Sequence, residues 1–297
     1  MNQLISFSPL NTCISLFATT FLLSCAGINS IQDINTVRTS TGVVTGSVRN
    51  EVISWEDIPY ALPPIGDLRW RAPRAYQDQT ISLSAKDRNG CLQEPSIYAG
   101  ISGKGIVGQE DCLYLDIQAP KENKNNSLPV MFWIHGGGNT SGIKDYYDFS
   151  SLVDEQKLIV VKINYRLGPM GWFTHPAIQG LQEGMDKTSN FGTLDIIEAL
   201  RWVKMNIASF GGNPNNVTIF GESAGGHNVL ALLASPVSQG LFHKAISQSG
   251  YTTSFTLQAA MGRNDNNQTI NVLGSESILL QHDSEAYQSI KKLYLQD

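Results

Sequence analysis

Residues 217–226 read VTIFGESAGG. The first four are β-branched or aromatic and read as a short strand. Residues 224–234 read as a helix. Between them, Gly221-Glu222-Ser223-Ala224-Gly225 fits G-x-S-x-G, and a strand before it with a helix after it is the setting that motif needs. The strand-to-helix turn is sharp, and glycines on either side of the serine give it room. Such a turn presents Ser223 at the end of a sheet, over a helix N-terminus that favours developing negative charge. Ser223 is therefore the candidate nucleophile. An ordinary glycine-rich β-α turn is the competing reading.

Working outward, residues 128–134 (LPVMFWI) are a nearly continuous apolar run, as in a strand buried on both faces. His135-Gly136-Gly137-Gly138 follows directly. Three glycines let backbone N–H groups come close to a substrate oxygen. Gly137 and Gly138 are the candidate oxyanion donors, completed by Ala224, the residue after Ser223. A phosphate-binding loop is the rival reading and fails because no G-K-[ST] follows. Further strands are expected at residues 112–117 (CLYLDI), 158–165 (LIVVKINY) and 244–247 (KAIS). Leu194, Ile197, Leu200, Val203 and Ile207 fall at helical spacing within residues 194–210, and Gly211-Gly212 stops that helix. Strands alternating with helices predict an α/β protein with a mostly parallel central sheet. Ahead of it, GVVTGSV and EVISW flank Arg49-Asn50 in a hairpin-like, antiparallel pattern. The Pro-rich residues 58–73 read as an ordered surface loop anchored by Trp55, Tyr60 and Trp70.

The chain has 297 residues, 41% hydrophobic and 16% charged, which suits a buried core. Its net charge is -5 and no Lys/Arg cluster makes a basic face, which argues against nucleic acid as a partner. Residues 13–24 (CISLFATTFLLS) are apolar and uncharged, short for a membrane span and suited to an export signal. Leu22-Leu23-Ser24-Cys25 matches a bacterial lipobox, in which Cys25 becomes the lipidated first residue and attaches the protein to a membrane. The expected organisation is a signal peptide at 1–24, a polar tether at 25–40 and the folded domain at 41–297. The expected location is the bacterial cell envelope or the medium. Ordinary cleavage near Ala26 is the alternative to lipidation. Cys13 and Cys25 belong to the signal, which leaves Cys91 and Cys112. In an oxidising compartment these two either pair, worth about 3 kcal/mol, or stay as buried thiols.

Along residues 41–250 the chain resembles the type-B carboxylesterase/cholinesterase family. The matching stretches are IPYALPPIGDLRW, EDCLYLDI, WIHGGG, VKINYRLGPMGW, NFGTLDIIEALRWVKMNIASFGGNPNNVTIFGESAGG and GLFHKAISQSG. The resemblance implies an α/β-hydrolase fold, with the mostly parallel sheet preceded by antiparallel strands. It implies ester hydrolysis with Ser223 as nucleophile, Gly137, Gly138 and Ala224 as oxyanion donors, and a Cys91–Cys112 disulfide. Glu222 takes a supporting electrostatic role. The implied partner is a small carboxylic ester; no metal and no organic cofactor is implied, and no Cys, His or carboxylate group has metal-ligand spacing.

The chain also departs from the family. Asn139 stands where the family often has an aromatic residue after the glycine run. Thr193 replaces Leu in the pattern around Asn190-Phe191-Gly192. No Trp occurs between Cys91 and Cys112, which argues against a cholinesterase. Family members are nearly twice as long, so the fold is expected to be truncated before its last strands, with the acid and histidine of the triad in the missing half. His135 matches the oxyanion motif, and His175, His227 and His243 read as structural. Only His282 follows Ser223 at a distance, in the polar segment LLQHDSEAYQS. The expectation is a serine ester hydrolase acting through an acyl-enzyme, incomplete in this chain. A non-catalytic binding or adhesion-type protein on the same fold, or a pseudogene product, is the alternative.

Overall fold

The apolar run at 128–134 forms the middle of a sheet. The computed structural model describes residues 35–76, 82–83, 90–122 and 127–260. In chain order, β1 (Thr36–Thr39) and β2 (Gly42–Thr45) pair antiparallel, and β5 (Ser82–Leu83) joins β2 in a small separate sheet. The main sheet holds β3 (Ser47–Arg49), β4 (Val52–Pro59), β6 (Tyr114–Pro120), β7 (Leu128–Ile134), β8 (Ile159–Ile163), β9 (Gly212–Glu222) and β10 (Lys244–Gln248). Their spatial order is β10-β9-β7-β8-β6-β4-β3. Strands β10, β9, β7 and β8 run parallel to one another; β8-β6, β6-β4 and β4-β3 are antiparallel. The helices are α1 (Ser150–Gln156), α2 (Gly168–Gly171), α3 (Pro176–Gln179), α4 (Phe191–Asn206), α5 (Ala224–Ala234) and α6 (Leu257–Ala260). This is the α/β-hydrolase arrangement, a mixed sheet with antiparallel strands at its N-terminal side.

The inner parallel strand β8 is covered on both faces, whereas β10 at the end of the sheet is mostly exposed. Every residue of β8 is buried, and so is every residue of β6. Helix α4 packs its buried stripe, including Leu194, Ile197, Leu200 and Val203, into the same core as Val130, Phe132, Val161 and Ile219. It ends in a 3-10 turn (Ile207–Phe210) capped by Gly211 at φ 85°. The hairpin falls where expected, with Arg49 opposite Val52 and Asn50 at φ 55°. The three anchoring aromatics are buried, and each places its polar atom on a backbone carbonyl. Trp55 Nε1 donates to Asn35 O, Tyr60 OH to Asn164 O and Trp70 Nε1 to Pro169 O.

The tether boundary needs correction. Residues 35–40, read as part of a tether at 25–40, belong to the fold. β1 pairs with β2, Ser40 N donates to Asn206 Oδ1 at 2.7 Å, and Val37 is buried. The β-branched alternation Thr36-Val37-Arg38-Thr39 carried that strand in a stretch otherwise polar. Residues 1–34, with Cys25, lie outside the described residues, as does His282. Helix α1 was not anticipated either; it is the crossover that lets β7 and β8 run parallel as neighbours.

Candidate active site

The C-terminal ends of β7 and β9 lie side by side, with Ile134 opposite Gly221. In α/β sheets this is the edge where ligands bind. At the end of β9, Ser223 takes φ 56° and ψ -119°, and α5 begins at the next residue. The turn is held from both sides: Ser223 N donates to Gln248 O of β10 at 2.9 Å, and Ser223 O accepts from His227 N at 2.9 Å. A Cβ on Gly225 would lie 2.0 Å from Ile134 O, and one on Gly221 would lie 2.6 Å from the Gly225 carbonyl carbon. Strand β7 and α5 approach this closely only because both positions are glycine. Ser223 is partly exposed and Glu222 is exposed.

The glycine run leaves β7 and lies against this turn. A Cβ on Gly136 would be 3.3 Å from Ser223 Cβ and 2.7 Å from Glu222 O. Gly137, at φ 103°, and Gly138, at φ 66°, turn the chain back on itself. Four carbonyls of the segment are held. His135 O accepts from Tyr165 OH at 2.7 Å, and Gly136 O from His135 Nδ1 at 2.8 Å. Gly137 O accepts from Ser141 N at 3.0 Å and Thr140 N at 3.1 Å, and Asn139 O from Gly168 N at 2.7 Å. A planar trans peptide points its N–H opposite to its C=O. Fixing the Gly136 and Gly137 carbonyls therefore fixes the directions of the Gly137 and Gly138 amides.

The electrostatics follow from burial. The His135 ring is buried and stacked on Tyr165, and burial pulls its pKa down to about 4, against the partial support of the Gly136 carbonyl. It is neutral, with its proton on Nδ1, because its partner there only accepts. Burial and then the Glu222 charge push the Tyr147 hydroxyl up. Just beyond the glycine run, Lys144 is buried with Asp57 and Asp116 at 2.8 Å and Asp145 at 3.3 Å. Burial alone would pull Lys144 down; Asp116, Asp145 and Asp57 outweigh it and hold its pKa above the ordinary lysine value. Lys162 bonds Tyr147 O from the same cluster, so the segment after the glycines is pinned to β6 and β8.

Cys91 and Cys112 form a disulfide, with both residues buried. The loop it closes is tied to the glycine segment, since Gln93 both donates to Gly142 O and accepts from Gly142 N. The side chains of the remaining described histidines bond backbone groups other than those of Ser223. His175 Nδ1 accepts from Ala177 N, His243 Nδ1 from Val217 N, and His227 stacks on Tyr251 with Nδ1 at Tyr251 O. Among the described residues no cluster of His, Cys, Asp and Glu could hold a metal, and no helix is long and apolar enough to cross a membrane.

The structure thus brings Ser223, Glu222, Ala224 and the Gly136–Gly138 run together at one sheet edge. Sequence reasoning missed Tyr147, Tyr165 and Asn228. Tyr165 was visible only as the polar end of an apolar strand, and Asn228 only as a polar residue within a helix.

A serine at a strained turn between a parallel strand and a helix, faced by a glycine run from the neighbouring strand, is the arrangement of an α/β-hydrolase fold. The family model described as "Carboxylesterase family" matches residues 33–293, and the chain belongs to that family. It is 43% identical over 227 residues to a para-nitrobenzyl esterase of Bacillus subtilis (strain 168), covering 75% of this chain and 45% of the relative. To a fumonisin B1 esterase of Sphingopyxis macrogoltabida it is 42% identical over 248 residues, covering 79% of this chain and 44% of the relative. A solved structure of a thermophilic PNB esterase superposes with a TM-score of 0.69 at 37% identity, covering 87% of this chain and 54% of the other. The chain spans about half the length of the curated relatives it matches.

Proposed function

We propose that the protein containing this chain is a carboxylic ester hydrolase and that Ser223 is its nucleophile. The observation that carries the reading is the contact of the glycine run with the strained Ser223 turn. Ser223 Oγ attacks the ester carbonyl carbon, and its proton passes to a general base. The amides of Gly137, Gly138 and Ala224 take the charge that develops on the carbonyl oxygen. Collapse expels the alcohol and leaves an acyl-serine, which water then hydrolyses with the base acting again. In this fold the acid and histidine follow the serine in sequence, so the base comes from polypeptide C-terminal to the turn. Glu222, one residue from the nucleophile, adds negative charge that favours a protonated base.

Family membership and the esterase names of the relatives support ester chemistry over a binding or adhesion role. The test is labelling by a fluorophosphonate and turnover of p-nitrophenyl butyrate, each beside Ser223→Ala. Ser223-dependent labelling with a fall in kcat of about 10⁴-fold is expected; equal labelling of the two proteins ends the proposal. We propose further that the protein is exported and anchored through Cys25, a reading that the disulfide favours. Radiolabelled palmitate should enter the wild type and not Cys25→Ala; label in both, or in neither, rejects the anchor.

A further inference from the structure

Asn139 closes the glycine run at φ 60°, a left-handed conformation that asparagine adopts more readily than most residues. Its side-chain Oδ1 accepts from Asn228 Nδ2 at 2.9 Å and lies 3.4 Å from the Tyr165 hydroxyl oxygen. Asn228 is 1% exposed and sits on α5, the helix that opens immediately after Ser223. Tyr165 is fully buried, and the same hydroxyl donates to His135 O at the other end of the run. The run is therefore tied at entry through Tyr165 and at exit through Asn139, and the exit tie reaches the helix that carries Ala224.

We infer that Asn139 and Asn228 form a positioning pair that sets how far the Gly137 and Gly138 amides stand from Ser223 and Ala224. The inference rests on the ester-hydrolase reading, since it gives that separation a catalytic meaning. The chemistry of the pair is reciprocal. A buried amide needs partners, and an aromatic side chain at 139 would offer Asn228 none. Asn139 is thus paired with a second polar residue, 89 positions away in sequence. Glycines supply no side-chain contacts of their own, so beyond its backbone bonds the run is placed by the side chains at its two ends. A misplacement of about 1 Å in such donors costs on the order of 100-fold in rate.

The test uses the full chain in its natural protein, with Asn139→Gly, Asn228→Ala and the double variant. Glycine at 139 accepts the left-handed backbone and removes the side chain but also loosens the chain, an effect that Asn228→Ala does not share. Two readouts are taken: backbone amide exchange of residues 136–139 without substrate, and kcat and KM for p-nitrophenyl butyrate. Exchange should quicken by about fivefold or more in each single variant. At the same time kcat should fall about 10- to 100-fold with KM within about twofold, and the double variant should be no worse than the poorer single one. Unchanged exchange, additive losses, or faster exchange with unchanged kcat overturns the pair's role. Absence of Ser223-dependent turnover in the wild type, with exchange still quickened in the variants, rejects the hydrolase reading and leaves the tie intact.

Discussion

Ser223 holds φ 56° and ψ -119°, a conformation that costs a residue with a Cβ about 1–3 kcal/mol. Two variants that both lack the nucleophile isolate that cost. Ser223→Gly relaxes the backbone but gains about 0.5–1 kcal/mol of unfolded-chain entropy, whereas Ser223→Ala keeps the strain. The glycine variant should be the more stable by about 1 kcal/mol in urea titrations; an alanine variant of equal or greater stability would mean that the turn is unstrained. His135 sets a pH dependence. Its ordinary pKa is near 6.5 and its pKa in the fold is about 4. Between those values the unfolded chain takes a proton that the fold refuses, so stability falls as pH drops from about 6.5 to about 4, by about 3 kcal/mol. His135→Asn keeps a donor near the Nδ1 position and should flatten that window in denaturation curves; an unaltered slope would assign the acid sensitivity elsewhere. Ser223 was legible because its signal is local, five residues between two clear elements. Tyr147, Tyr165 and Asn228 were not, because what they do depends on residues far away in sequence.

At the scale of elements, apolar runs and helical spacing were enough for β7, β8, α4 and α5, each of which turns buried apolar residues to the core. Their ends were less legible. β9 begins at Gly212, well before VTIF, because Leu128 of β7 pairs with Gly212 across an irregular register that no local preference of Gly-Asn-Pro-Asn-Asn announces. Helix α4 is fastened by charge as well as packing. Asp195 is fully buried and accepts from Arg166 N, Nε and Nη2 at 2.7–3.0 Å, joining α4 to the segment after β8. Neither residue is near water, so removing one strands the other. Asp195→Ala should lower stability by about 3–5 kcal/mol in urea unfolding, and a loss under about 1 kcal/mol would show that Arg166 finds another partner or solvent.

Over the whole molecule, the ties that shape the candidate site are long-range. The disulfide loop reaches Gly142 through Gln93, and β1 reaches the end of α4 through Ser40 and Asn206. Replacing Cys91 and Cys112 together by alanine should cost about 3 kcal/mol, read as a lower urea midpoint that reductant no longer shifts. A midpoint that reductant leaves unmoved in the wild type would deny the bond a role in stability. The bond from Ser223 N to Gln248 O has a consequence in time. Proteins are made from the N-terminus at about 5–20 residues per second, so β10 follows Ser223 out of the ribosome by about one to five seconds. During that interval the nascent chain carries the serine and the glycine run without the strand that holds the serine's backbone in place. Reactivity therefore arrives after the residue does, and a ribosome stalled before Gln248 would display a serine blind to fluorophosphonate.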